Sequence, residues 1–357
     1  MQNHSGGTHA PYAPYTDTLR AENIRQYEKN SLKKTSNGLG FFVLIYFLAM
    51  HFISILFTEI IKDNLLIYKD NIYSVIFIVQ IIASTGSAFV AVALYRLISR
   101  RRISETFTKS YVKITYLLPL VFLGMGASMA ANMMASVFAD NISVFGLQNN
   151  VSHSIRTNSA LEIILYVVST SLIPAFAEEL AFRGVFMNVM RKYGDAFAII
   201  SSSLIFGAMH GNTTQIIFAF TLGLIFAYID CKANSIIPSV IVHFLNNFYA
   251  VVMEILQTDS TMSETAYTLI NVIVVAMFCL LGILSFIYLS SAEKNFYRMS
   301  NKDTNLFSKT DVLSLKEKVQ VFILSPGIVI PLSLFAAEVI FYLLPANIQI
   351  DIKKNLF

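Results

Sequence analysis

The sequence predicts an all-α, polytopic transmembrane bundle of about 8–9 spans, and three observations carry that prediction. The chain of 357 residues is 55% hydrophobic and only 13% charged, where a soluble domain carries about 25% charged residues. Its apolar residues fall into successive runs of about 20, the length that crosses a hydrocarbon core. Its basic residues lie between those runs rather than inside them, as orientation-setting residues do. The net charge of +4 is spent on those loops, so no nucleic-acid partner is expected and the lipid bilayer is the environment. The mean hydropathy of +0.61 agrees.

Taken in order, residues 1–38 are polar, with five Lys/Arg and the repeat Ala-Pro-Tyr-Ala-Pro-Tyr. They lack the apolar core of a signal peptide and read as a disordered cytoplasmic tail. Apolar runs follow at about 39–61, 72–97 and 114–138, a three-span scaffold (39–140) almost free of buried charge. Runs at about 160–182, 196–212, 214–230 and 235–256 form a polar-marked core, 158–258. The second of these is short enough to be tilted or re-entrant. Runs at about 265–290 and 320–344 complete the chain in a C-terminal unit, 262–357, with a basic loop.

Arg20, Arg25, Lys29, Lys33 and Lys34 precede the first run, and Arg100–Arg102, Lys109 and Lys113 follow the second. Arg191 and Lys192, then Lys232, then six residues from Lys294 to Lys318 follow the fourth, sixth and eighth. If every run crosses once, all these loops share one side, which the positive-inside rule makes cytoplasmic, together with the N-terminus. Lys353 and Lys354 run against that pattern. Cys231 and Cys279 fit neither a disulfide framework nor a structural zinc site.

Three short polar motifs interrupt the core runs: Glu178-Glu179-x-x-x-Arg183, Phe206-x-x-x-His210 and His243-x-x-x-Asn247. Ionisable side chains are costly in lipid and mark function there. Residues four apart share a helical face, so Glu179 and Arg183 are neighbours, with the Glu N-terminal as an ion pair prefers. Adjacent residues point about 100° apart, which leaves Glu178 facing elsewhere. A desolvated carboxylate without a cationic partner suits proton transfer near neutral pH. Spacing therefore divides the labour: Glu179 and Arg183 brace, and Glu178 reacts. Pro174, one turn upstream, removes a backbone bond and bends the helix toward a polar cavity.

Phe206 and His210 share a face, as do His243 and Asn247; Asn246, three after His243, serves spacing as well as Asn247. Taken singly, these groups read equally as ion pairs or polar glue between helices. Together, a carboxylate, two imidazoles and a carboxamide are the parts of a water-activating hydrolytic site. The set Glu178, His210 and His243 could also ligate zinc, although no His-Glu-x-x-His helix is present and Asn is a poor zinc ligand. Run boundaries put Glu178 near the inner end of its span and His210 near the outer end of the next. The two meet only if the fourth span extends toward 190 or the fifth tilts. His51, Glu59, Glu162, Glu254, Glu338 and His153 read as structural or solvated.

The ordered triplet over about residues 160–255 resembles the CPBP family, the CAAX-processing and bacteriocin-processing (ABI) proteases related to type II CAAX prenyl endopeptidases. The resemblance implies an all-helical intramembrane endopeptidase acting on membrane-anchored proteins or peptides, possible prenylated CAAX-type substrates included. It implies that Glu178 and His210 activate water and that His243 and Asn247 stabilise the oxyanion, with Glu179, Arg183 and Phe206 in support. Relatives have been described both as glutamate-activated and as metallo-enzymes, and the unpaired Glu178 favours the first. The competing readings are a non-catalytic scaffold or bacteriocin-immunity protein of the same fold, and a proton-coupled transporter. The transporter needs polar residues across the whole bilayer and repeated helices, neither of which the sequence carries.

Overall fold

In the computed structural model, residues 13–63, 71–99, 111–144, 159–258, 261–293, 296 and 312–343 are described. The expectations for residues 1–12 and for His153 lie outside them. The chain is an all-α bundle with no strand among the described residues. Among the described residues, eight helices are long and apolar enough to cross a membrane. Three come first: α1 (Ala13–Asp63), α2 (Ile72–Ser99) and α3 (Ile114–Val144). A composite helix α4 (Ala160–Tyr193) follows, then α5 (Asp195–Ala208), α6 (Thr213–Ala233) and α7 (Ile237–Thr258). The last are α8 (Glu264–Ala292), the short α9 (Leu315–Ile323) and α10 (Pro326–Leu343).

The disordered tail expected over 1–38 does not hold for residues 13–38, which are the first turns of α1. The reason is a buried stripe: Glu28, Leu32, Ser36, Leu39 and Val43 are each 3% exposed or less and recur at helical spacing. Glu28 accepts the backbone N–H groups of Val312 (2.9 Å) and Leu313 (3.3 Å) at the entry to α9. A low-hydropathy segment thus folds because a distant one covers it. α9 itself starts on a capping box between Ser314 and Glu317. The Ser314 backbone N–H, and then its hydroxyl, hold the Glu317 carboxyl below the usual carboxylate range.

Of the basic segments that the sequence assigns to one side, Arg191–Lys192 and Lys318 lie together at one end of the bundle, and Arg100–Arg102, Lys109 and the basic residues from Lys294 to Lys309 lie outside the described residues. Tyr193 hydroxyl bonds Ser31 and Thr35 of α1 (3.0 and 2.9 Å). Lys192 donates to Thr35 (3.1 Å) and Lys318 to the Tyr193 carbonyl (2.9 Å). Arg191 donates to Asn234, after α6, at 2.7 Å.

Two boundaries differ from the sequence reading, and together they remove its depth problem. The fourth span ends at Tyr193, not near 182. The fifth apolar run is a 14-residue helix, about 21 Å long and short of a hydrocarbon core of about 30 Å. Gly194 makes the turn between them at φ 108°, a backbone state glycine adopts without strain. Glu178 lies fifteen residues before Tyr193 and His210 fifteen after Asp195, so equal hairpin arms of about 22 Å return His210 to the level of Glu178. α5 then packs tightly on α6, where a Cβ at Gly207 or Gly223 would fall 2.7 Å from Phe220 or 3.0 Å from Ser203.

Candidate active site

α4 is not a uniform α-helix. It widens into π-helix at Val168–Leu172 and again at Leu180–Met187, and the α-helical insert between them, Ile173–Glu179, carries Pro174, Glu178 and Glu179. Such single-turn widenings change the face that later side chains occupy, and they gather at functional sites. The i, i+4 relation of Glu179 and Arg183 survives the change: Arg183 Nη1 donates to Glu179 Oε1 at 3.0 Å, with both side chains fully buried.

Arg183 is held through both terminal nitrogens of its guanidinium, while its buried Nε has no partner among the described residues. Its Nη2 donates to the Gly223 carbonyl (3.3 Å), and its guanidinium lies 4.3 Å from the Phe206 ring centroid and 5.5 Å from that of Phe226. Aromatic faces and a bare glycine carbonyl are what a buried cation needs once its carboxylate partner has neutralised it. Phe206 thereby earns its place in the second motif as a ring beneath Arg183.

Glu179 does more than the spacing predicts. The same Oε1 accepts from His243 Nδ1 at 2.9 Å. A carboxylate only accepts, so Nδ1 carries the proton and Nε2 points onward. Nε2 lies 4.0 Å from Glu178 Oε2, too long for a hydrogen bond and right for a shared small molecule. His210 is fixed in the same way: its Nδ1 lies 2.7 Å from the Phe206 carbonyl, which only accepts. Its Nε2 is therefore unprotonated in the neutral ring, within the electrostatic reach of Glu178. Phe206 sits between the imidazoles, 5.0 Å from His210 and 6.1 Å from His243. The Glu178 side chain is 18% exposed, against 0% for Glu179, so of the two adjacent carboxylates only Glu178 is open to a molecule from outside the packed helices.

Asn247 stands one turn further along α7. Its Nδ2 donates to the Thr170 carbonyl in the first π stretch (3.2 Å), and its Oδ1 accepts from Asn246 (3.3 Å). Its contacts are with the start of α4 rather than with Glu178.

Several participants escape the sequence reading. Tyr46, buried on α1, packs edge-on against Phe182 (5.7 Å) within electrostatic reach of Glu178. Asp230, 2% exposed, accepts from the Ser239 backbone N–H (3.0 Å) and hydroxyl (2.6 Å) and tethers α6 to the start of α7 beside the Glu179–Arg183 pair. The cost of an ionisable side chain in an apolar run, the argument applied to Glu178, would also have found Asp230 in the run at about 214–230. Tyr46 has no such signal. Of the residues read as structural, Glu254 accepts from Tyr166. Glu338 lies 3.8 Å from His51, its carboxylate against Gly211 (φ 68°), where a Cβ would fall 2.9 Å away. That turn follows His210.

The zinc alternative needs three donors converging at about 2.0–2.2 Å. Among the described residues no group of three His, Cys, Asp or Glu is arranged to hold a metal ion, although the Nδ1 partners of both histidines leave each Nε2 available as a donor.

Comparison with known proteins converges on the same segment. Residues 160–249 match the family described as type II CAAX prenyl endopeptidase Rce1-like. The Bacillus subtilis (strain 168) protein named "Putative membrane peptidase YdiL" is 26% identical over 117 residues, 31% of this chain and 47% of that protein. The chain thus spans about half the length of the curated relative it matches. No solved structure matches it.

Proposed function

We propose that this chain, whose residues 160–249 match the type II CAAX prenyl endopeptidase Rce1-like family, is a CPBP-type intramembrane endopeptidase in which Glu178 and His210 activate water. His243 and Asn247 stabilise the oxyanion, and Glu179, Arg183 and Phe206 hold the site in shape. The observation that carries this reading is the 4.0 Å separation of Glu178 Oε2 from His243 Nε2. A water about 2.8 Å from each atom spans that separation beside His210.

Glu178 takes a proton from the water and His210 Nε2 accepts its second hydrogen bond, so the lone pair faces the scissile carbonyl carbon. As the C–O bond forms, charge collects on the carbonyl oxygen. His243, its Nδ1–H held by Glu179, takes up a second proton from solvent at Nε2 and donates it in a hydrogen bond first to the water and then to that oxygen. Asn247 offers the amide hydrogen that Thr170 does not take. Collapse of the intermediate breaks the C–N bond, and the proton held by Glu178 passes to the leaving amine. Fixing the donors before reaction is what makes them effective in a site that excludes bulk water.

The substrates are membrane-associated proteins or peptides, prenylated CAAX-type chains among them, and the basic end of the bundle with the N-terminus faces the cytoplasm. The test uses purified full-length protein and its Glu178→Gln variant on a farnesylated CAAX-type peptide and a non-prenylated control, with and without chelator. We expect cleavage that survives chelation and falls about 10²–10⁴-fold in Glu178→Gln. Cleavage abolished by chelator and restored by zinc would overturn the glutamate mechanism. An unchanged rate in Glu178→Gln would overturn the site.

A further inference from the structure

The α-helical pattern brings the N–H of each residue to the carbonyl four before it. Residue 174 is proline, so the partner that an α-helix would bring to the Thr170 carbonyl does not exist. Around it the ladder changes step, with Ile173 N–H bonding the Val168 carbonyl five residues back. A loosened carbonyl at this depth is costly, because no bulk water reaches it.

A donor arrives from another helix. Asn247 gives Nδ2 to Thr170 O (3.2 Å), Asn246 gives Nδ2 to Asn247 Oδ1 (3.3 Å), and Asn132 of α3 gives Nδ2 to Asn246 Oδ1 (3.3 Å). The sense of this chain is dictated by its end. A backbone carbonyl only accepts, so Asn247 must turn its amino group to Thr170 and its oxygen to Asn246. Asn246 must then turn its amino group to Asn247 and its oxygen to Asn132. Adjacent residues on a helix point about 100° apart, which lets Asn246 and Asn247 reach α3 and α4 from one turn of α7.

We infer that Asn132, Asn246 and Asn247 form a one-way carboxamide relay that clamps the carbonyl opened by Pro174, and so act as positioning residues for Glu178. α7 grips α4 at two points. His243 binds Glu179 beside the reacting carboxylate, and Asn247 binds Thr170 eight residues upstream, about 12 Å along the helix. Pro174 lies between the grips. With both closed, the angle of α4 at the proline is fixed, and with it the approach of Glu178 to His243 Nε2. Asn247 in this role is first a splint, and its remaining amide hydrogen is free to face the oxyanion. The catalytic half of the inference rests on the peptidase reading above, and the structural half does not.

The test is a double-mutant cycle in the full chain reconstituted in lipid nanodiscs. Asn132→Leu and Asn246→Leu cut the relay far from the reacting groups, and Pro174→Ala returns to Thr170 a backbone partner of its own. In the wild-type background we expect each Asn variant to lower the melting temperature by a few degrees and to speed amide exchange over residues 171–178. Each should also lower kcat about 10-fold through misplacement of Glu178, with KM unchanged. In the Pro174→Ala background the same Asn changes should cost markedly less in melting temperature and exchange. Equal losses in the two backgrounds would overturn the relay, because the amides would then be general glue. Coupled melting temperatures with unchanged kcat would overturn the positioning role. The melting and exchange measurements decide the splint even if no peptide is cleaved, which separates its failure from failure of the peptidase reading.

Discussion

α4 and α8 are both long and apolar enough to cross a membrane, yet they occupy opposite conditions. α8 offers most of its length outward: Leu269, Val272, Ile273, Leu280, Ile283 and Ile287 are all more than half exposed. From Ala181 to Met187 α4 is buried on every side, Arg183 included. A helix in lipid may be apolar for two reasons, solvation by acyl chains or packing against other helices, and only the second constrains each residue. α8 meets the first demand with uniform side chains in a regular α-helix. α4 meets the second with π-helical stretches, a proline and three ionisable groups.

The largest break in that contrast is expected at the two adjacent glutamates. Glu178→Gln removes the base and keeps the shape, so the melting temperature should hold while peptide cleavage drops as above. Glu179→Gln should do the opposite first. It strips the partner from a fully buried Arg183 and from His243 Nδ1. Breaking such a pair costs about 3–5 kcal/mol, read as loss of folded protein in a thermal melt. If both variants keep their melting temperature and lose the same activity, the division between reacting and bracing carboxylate is wrong.

The sequence makes one side of this comparison legible and hides the other. Length and spacing of the apolar runs find the spans, and the i, i+4 rule finds the Glu179–Arg183 pair at its actual contact. They miss the π-helical stretches, because one extra residue in a turn leaves composition untouched. The short α5 and the long α4 stand in the sequence only as open alternatives, because hydropathy cannot tell a 14-residue hairpin arm from a tilted span. Asn246 and Asn247 stay interchangeable under spacing, and both are used, in different directions. Tyr46 and the helical tail of α1 depend on contacts across 130 to 290 residues of chain, which no local pattern records.

Close helix approach gives a smaller effect that sharpens the contrast. A Cβ at Gly223 would meet Ser203 atoms at 3.0–3.2 Å, on the residue whose carbonyl receives Arg183. Gly223→Ala should therefore push α6 from α5, cost about 1–3 kcal/mol and weaken the seat of Arg183. A thermal melt reads the first and cleavage rate the second. Ser203→Ala in the same chain, by removing the hydroxyl at 3.2 Å, should recover part of the loss. No recovery would mean that the glycine serves the backbone rather than the crossing.

The smallest effect belongs to α8. Leu280 is 58% exposed on a face that neighbours leave open. Lipid tails solvate leucine and alanine with little difference in driving force, because the folded and unfolded chains are both in hydrocarbon. Leu280→Ala should thus move the melting temperature by no more than an ordinary surface change, within about 0.5 kcal/mol, and leave cleavage untouched. The same truncation at Phe182 of α4, fully buried between Tyr46 and Phe206, opens a cavity and should cost about 3–5 kcal/mol. A Leu280→Ala loss of comparable size in nanodiscs would mean that α8 faces protein, a second copy of the chain, and not lipid. The mass of the nanodisc-embedded particle would then separate dimer from monomer.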